Sequence, residues 1–594
     1  MTKKAKTQKK PLPSACKALI KVAAGIAIIA GTSGLVFGLT AGLSKNLGYI
    51  KMKPYVYTGK TINPDSAADY SSLQDESVWQ SSPEDEPISE ISSIYSNAKI
   101  DATDPMASIN NIIQNQQLFE YAQLIIDSNA HSILDKSFNE SSYLGLTNWV
   151  HQNDTTLGTD TWQPGDDMRI KMPQLSEPSN SYSDGVYSAK SIKPTSDDNK
   201  GFINSYTSAV NSIERSSLGK GSIILGGFLH ETPVAQFIAQ YHDTFEKVSY
   251  LMLDSNFSDE HISTTSFRSD QAAFLCGIAI CQYLQSRYDD VYSKVNNGKL
   301  AVGTFGGLPI PTVTSFMGGF EWGIYFYNNF ILPKYVEYND WDQATKDKRT
   351  VDLISAGKST SFYTNSFNTG DARLLVQQLL TQGADAILPV AGPQTIDAVN
   401  EVRCEHSPTV VIGVDTDQEN GELAQYTSLS PLNYGDKIIQ FSAQKNLAQL
   451  GSLILQAQAK GIRGYYYDQN EIHWLNYDDT PLAEALTSDS AKVSRSFVGN
   501  AGYLSVGNVY NGGVMISKGD DTKYQPEDPF GGTGWDSLRA AMKILSPDDQ
   551  FEDYNTIIEF LYNTTYEFPN PYGGDAYERT PFDMLDENKY FMYS

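Results

Sequence analysis

Leu124-Ile125-Ile126-Asp127, followed by Leu134-Asp135-Lys136-Ser137-Phe138-Asn139, is the decisive stretch of this 594-residue chain. An apolar strand runs into a carboxylate and a short polar loop follows. The loop then closes on an aromatic ring and an amide where a helix begins. In open α/β sheets, ligands sit just outside the carboxyl ends of strands. A carboxylate and a ring placed there form half of a pocket for a ligand with hydroxyls and a flat face.

The same pattern recurs along the chain. Strand-like runs are read at 121–126, 222–225, 248–253, 300–305, 350–354, 386–390 and 409–414. Helical spacing lies between them, as at 271–284 and 371–381. Strands alternating with helices predict parallel sheets with right-handed crossovers. That many units suit two doubly wound lobes better than one sheet. Asp254 closes the run Tyr250-Leu251-Met252-Leu253, and Asp415 closes Val410-Val411-Ile412-Gly413-Val414. A single such acid is commonly a turn former. Three at separate strand ends point to hydrogen bonding of a ligand, because an ionised carboxylate only accepts. Phe138 adds a stacking face. Together they describe recognition of a polyol with a flat ring, such as a nucleoside. Paired acids also suit glycosidic hydrolysis, which needs a separation that sequence does not give.

Composition narrows the class. The formal charge is −26, yet residues 1–53 hold ten lysines and no acid, which leaves the remainder at −36. Such a body is a poor partner for nucleic acid. Residues 1–21 form a lysine-rich tip and 22–44 an uncharged run long enough to span a bilayer. A basic flank ahead of the run keeps the tip inside and exports the body. Two readings remain open for the run, a retained anchor, favoured by its length, and a cleaved signal peptide. Residues 45–118 are acidic and rich in Ser and Pro, and read as a spacer. Polar insertions are expected at 152–200 and 462–498 within a body spanning 119–516. Beyond it, 517–594 reads as a helical extension, with Trp535, Leu538, Met542 and Leu545 on one stripe. Ser546-Pro547 then reads as the start of a second helix, through Phe551, Tyr554, Ile558 and Leu561.

The chain lacks His-Glu-x-x-His, paired Cys-x-x-Cys, a phosphate loop and a Gly-x-Ser-x-Gly elbow. No metal, cofactor or catalytic residue is therefore expected. The four cysteines, Cys16, Cys276, Cys281 and Cys404, suggest no disulfide framework.

In order along the chain, several blocks resemble one known family. They are Asp135-Lys136-Ser137-Phe138-Asn139, Gly226-Gly227-Phe228, Ser266-Phe267-Arg268-Ser269-Asp270-Gln271, Val302-Gly303-Thr304-Phe305-Gly306-Gly307, Phe316-Met317-Gly318-Gly319-Phe320-Glu321, Gly383-Ala384-Asp385-Ala386-Ile387 and Ile412-Gly413-Val414-Asp415-Thr416-Asp417-Gln418. The family is the basic membrane protein (BMP) family of nucleoside-binding substrate-binding proteins of ABC transporters. The resemblance implies a periplasmic-binding-protein-like fold of two lobes closing about a hinge. It also implies a non-enzymatic, membrane-held body on the extracytoplasmic face that delivers a nucleoside, a purine by preference, to the permease subunits of an importer. By the same resemblance, Phe138 stacks on the base, while Asp127, Asp254 and Asp415 hold polar groups. Ser137 and Asn365, which precedes Ser366-Phe367, fall at the ligand. A second aromatic is implied where Leu388 stands. A lysine is implied after a Thr-Ser pair, where Thr427-Ser428-Leu429-Ser430 runs into Pro431 and the nearest lysine is Lys437. These two departures support a rival reading, a surface interaction protein with an altered pocket. A nucleoside-cleaving enzyme is the third reading, because a fold does not fix function.

Overall fold

The computed structural model describes residues 119–152, 181–184, 187–216, 218–240, 248–255, 257, 262–354, 362–459, 464–468, 471–475, 496–499, 504–509, 512–517, 531–568 and 577–587, with a short ladder at 56–57 and 62–63. The lysine-rich tip, the apolar run 22–44 and nearly all of the spacer lie outside these residues. Among the described residues no helix is long and apolar enough to cross a membrane.

The first sheet has seven strands. In chain order they are β1 (Tyr121–Ile125), β2 (Ser181–Asp184), β3 (Tyr187–Ile192), β4 (Gly221–Gly226), β5 (Val248–Leu253), β6 (Ile262–Phe267) and β12 (Leu504–Gly507). The spatial order is β12-β6-β5-β4-β1-β3-β2. All pairs are parallel except the edge hairpin β2–β3. Alternate residues serve opposite faces, as strand geometry requires. Ile125, Ile223, Leu225, Tyr250 and Met252 pack under α2 (Asn199–Ile213) and α3 (Glu231–Gln240). Leu124, Ile224, Leu251 and Leu253 turn the other way, into the core that also holds α1 (Phe138–Gln152).

The second sheet has six strands: β7 (Ala301–Gly306), β8 (Asp352–Ile354), β9 (Ala386–Val390), β10 (Val410–Asp415), β11 (Ile439–Lys445) and β13 (Val514–Ile516). Their order is β8-β7-β9-β10-β11-β13, parallel but for β13. One face carries α6 (Arg373–Thr381) and α7 (Thr395–Cys404). The other lies under α4 (Ser269–Ser286) and α5 (Pro311–Phe326). The helices α4 and α5 touch at glycines: a Cβ on Gly277 would stand 2.4 Å from the carbonyl oxygen of Phe320 and 2.9 Å from the Cα of Gly323. Cys276 and Cys281 are buried thiols on α4.

The chain passes between the sheets three times, and the crossings meet. After β6, the amide of Arg268 donates to the carbonyl of Gly507 at 2.7 Å. After β11, the amide of Asn446 donates to the carbonyl of Gly513 at 2.9 Å before α8 (Leu447–Ala459) packs back on α1. The third crossing leads from β12 to β13.

Three expectations change. Residues 181–192, read as surface excursion, are β2 and β3 of the first sheet, because their hairpin pairs in register beside β1. Within the second expected insertion, 464–468, 471–475 and 496–499 form a separate three-stranded antiparallel sheet. The second C-terminal helix, α10 (Tyr554–Asn563), starts not at Ser546 but after Asp553, whose side chain and Thr556 form a reciprocal capping box. It follows α9 (Thr533–Leu545) and precedes α11 (Pro581–Glu587). The extension docks on α4 and α5: the Trp322 indole N–H donates to the carbonyl of Pro581 at 3.2 Å, and the Gln271 amide donates to the Tyr562 hydroxyl at 3.0 Å.

Candidate functional site

The carboxyl ends of the parallel strands in both sheets face one another across a cavity. Asp127, Ser137, Phe138 and Asp254 line it from the first sheet, and Asp415 from the second. Strand polarity in both sheets thus delivers side chains from β1, β5 and β10 to one space.

Each is held by local chemistry. Asp127 accepts from Nδ2 of Asn139 at 2.7 Å and meets Nδ1 of His131 at 2.9 Å. Asn139 also donates to Asp135 at 2.8 Å. Asp135 caps α1, accepting from the amides of Ser137 (2.9 Å), Asn139 (3.0 Å) and Glu140 (3.1 Å). Burial, with the Asp127 charge adding to it, pushes the Asp135 carboxyl up to about 6. Burial works against a charged His131, but the Asp127 hydrogen bond and charge outweigh it and raise the imidazole above its ordinary value. Gly227, with φ 90, lets the Phe138 ring lie close, since a Cβ there would stand 3.2 Å from its Cζ.

The far side is organised by a cation. Lys445, 4% exposed, ends β11. Its Nζ stands 2.7 Å from Asp254, 3.2 Å from Asp415 and 2.6 Å from the Thr312 hydroxyl. Thr312 donates in turn to Asp254 at 2.6 Å, and the Phe316 ring centroid is 4.9 Å from Nζ. Burial pulls the lysine down, but the Asp254 and Asp415 charges more than offset it, so the ammonium is held above its usual value. Asp254 (φ 54), Asp415 (φ 65), Asn365 (φ 57) and Lys136 (φ 56) all take the left-handed conformation at this cleft. Asx residues tolerate that region best, and such strain gathers where geometry serves binding.

Direct bonds join the two sides. The Ser137 hydroxyl donates to Asp415 at 3.2 Å. Thr416 and Gln418 both donate to the carbonyl of Lys136 at 3.2 Å. Gly392 permits this approach, because a Cβ there would fall 2.8 Å from Oγ of Ser137.

Two sequence expectations need correction. Leu388 does not line the cavity. It is 0% exposed in β9, turned into the core with α4 and α5, and Phe316 and Phe367 supply the rings on that side. The lysine expected near Pro431 is not missing: Lys445 provides it, while Pro431 is exposed in a loop and Lys437 donates to the carbonyl of Glu419. The usable signal was Ile439-Gln440-Phe441-Ser442-Ala443-Gln444-Lys445, another strand ending in a charge. Asn365 lies beside the cleft and does not line the cavity. His131 and Thr312 were not singled out in the sequence. Among the described residues no cluster of His, Cys, Asp or Glu is arranged to hold a metal. The cavity presents oriented carboxylates, one ammonium, a hydroxyl pair and aromatic walls, a set suited to holding a polar ligand.

Residues 123–355 match the family model Bmp, described as ABC transporter substrate-binding protein PnrA-like. A similar protein, an uncharacterized lipoprotein of Mycoplasma pneumoniae, is 27% identical over 436 residues, which cover 61% of this chain and 61% of that one. The chain thus spans about 61% of that relative's length. A second uncharacterized lipoprotein, from Mycoplasma genitalium, is 26% identical over 421 residues, 61% of this chain and 67% of the other. Among solved structures, an ABC transporter solute-binding protein from Aeropyrum pernix is similar at 16% identity and a TM-score of 0.42, over 74% of this chain and 96% of that one.

Proposed function

We propose that this chain, a Bmp-type substrate-binding protein over residues 123–355, captures a nucleoside between its two sheets and delivers it to the permease of an ABC importer. The observation that carries the reading is the cavity that gathers Asp127, Asp254, Asp415, Lys445 and Phe138. Phe138 offers a face for the base. Asp127, with Asn139 on Oδ1 and His131 Nδ1 within 3.0 Å of both oxygens, keeps a lone pair on Oδ2 for a ring N–H or a hydroxyl. Asp254 and Asp415, held side by side by Lys445, whose three N–H groups serve them and Thr312, form a pair of acceptors matched to ribose hydroxyls. Charge-assisted bonds of this kind reject analogues that lack the donor. Contacts from both sheets to one ligand link occupancy to closure. A purine, with more ring surface, is the preferred base.

The protein carries out no chemistry on the nucleoside. Its body stands on the extracytoplasmic face, held by the N-terminal segment; the description of two relatives as lipoproteins supports membrane attachment. The rival reading of an altered pocket, which also drew on the aromatic insertion and the C-terminal helices, loses one of its supports, because Lys445 stands in the cavity. The test is thermal unfolding of the purified protein against a panel of nucleosides and free bases. A nucleoside at 100 times its dissociation constant adds about 2.7 kcal/mol and raises the midpoint. A folded protein unmoved by every nucleoside sinks the reading, and release of free base would make it an enzyme.

A further inference from the structure

Beside the inner cavity lies a second chamber. It is the roomier of the two and shares His131, Asp135, Phe367 and Pro393 with the inner cavity. Phe138 lines the inner cavity and not the outer chamber. A nucleoside seated against Phe138 leaves the outer chamber unfilled.

We propose that the ligand is a nucleoside extended by an uncharged, ring-bearing group that occupies the outer chamber; the proposal rests on the nucleoside reading above. The lining names the chemistry. Leu134, Ile396, Leu423 and Tyr426 supply apolar surface there. Leu134 is 48% exposed, one of the few large apolar side chains so placed among the described residues. The Tyr426 ring has the Arg403 guanidinium 5.3 Å from its centroid, which fixes it as a wall. The charged groups are already engaged: Asp135 with the first turn of α1, His131 with Asp127, and Lys136 with Glu140 at 3.3 Å. A phosphate in the chamber would therefore meet the Asp135 carboxylate, while the basic groups on its lining, Lys136 and His131, are already paired with acids. An apolar ring would gain contact with Tyr426 and Leu423.

The experiment is calorimetric titration of the full chain with adenosine, 5′-deoxy-5′-(benzylthio)adenosine, N6-benzyladenosine and adenosine 5′-monophosphate. One benzyl compound is expected to bind at least about tenfold more tightly than adenosine. Tyr426→Ala and Leu423→Ala should each remove most of that gain and leave adenosine affinity unchanged. Adenosine binding with no gain for either benzyl compound, or a gain that survives both variants, overturns this proposal alone. Tighter binding of the monophosphate than of adenosine overturns the uncharged assignment. Failure of all four compounds to bind overturns the nucleoside reading, and this proposal with it.

Discussion

Asp127 owes its orientation partly to a residue behind it. His230, 0% exposed, uses Nε2–H toward the carbonyl of Ile126 at 3.2 Å, while the Tyr206 hydroxyl lies 2.9 Å from Nδ1. Burial pushes this imidazole down to about 4, despite the opposing pull of Asp127. The unfolded chain thus binds a proton below its ordinary value of 6.5 that the folded chain refuses until about 4. Stability from this group is present above the unfolded value and is lost as pH falls through that window, by roughly 3 kcal/mol in all. His230→Gln should lose less stability than the parent between those limits in urea unfolding at a series of pH values; parallel curves would refute the assignment. Lys445 presents the converse case. Lys445→Met strands two acids and should cost about 3–5 kcal/mol, the usual penalty for breaking a buried pair. Adding Asp254→Asn should restore part of it. At the ligand, Phe138→Ala should weaken nucleoside binding on the order of tenfold to a hundredfold, from lost ring area and stacking, and should also lower the unfolding midpoint of the empty protein, because the ring packs against the main core.

Helices and strands tell how far sequence could reach. The strands β1, β5 and β10 were legible because each is an apolar run closed by an acid, and that was enough to find Asp127, Asp254 and Asp415. The strand β6, Ile262-Ser263-Thr264-Thr265-Ser266-Phe267, was not, although every residue in it is buried. Its hydroxyls are satisfied by remote partners: Gln458 donates to Ser263 at 3.2 Å across 195 positions, and the Asp254 amide donates to Thr265 at 3.0 Å. Local hydropathy carries no trace of such bonds. Lys445 does close an apolar strand, as the three acids do, but its partner Asp254 lies 191 positions away, so the sequence does not show what the charge is for. Helix starts failed more narrowly. Ser546-Pro547 has the composition of a cap, but the capping box forms at Asp553 and Thr556, where the apolar stripe of Tyr554, Ile557, Ile558 and Leu561 begins. Asp553→Ala should therefore destabilise the extension by about 1 kcal/mol, while Ser546→Ala should do far less; denaturant midpoints compare them directly. At the crossing of α4 and α5, Gly277→Ala sets a methyl against backbone and should cost about 1–3 kcal/mol by overpacking.

For the molecule as a whole, the proposed closure can be trapped. A Cβ at Gly392 would stand 3.4 Å from Cβ of Ser137, near the separation that a disulfide spans, about 3.5–4.5 Å. Ser137→Cys with Gly392→Cys, in a background of Cys16→Ser and Cys404→Ser, should cross-link the two sides on oxidation. The oxidised protein should neither take up nor release nucleoside, and reductant should restore exchange; peptide mass spectrometry identifies the bridge. The C-terminal helices touch the crossings between the sheets, through Gln271, whose Oε1 accepts from the Val509 amide at 3.1 Å while its amide donates to Tyr562. The order of the strands also sets a timetable. The strand that completes the first sheet, Leu504–Gly507, pairs with Ile262–Phe267, so it leaves the ribosome roughly 240 residues later, tens of seconds at 5–20 residues per second. Throughout that wait Ile262–Phe267 is a raw sheet margin, open to any passing strand. Its run of serines and threonines, the feature that hid it from a hydropathy reading, gives a nascent neighbour little apolar surface to seize. The margin stays vacant until its own chain returns to fill it.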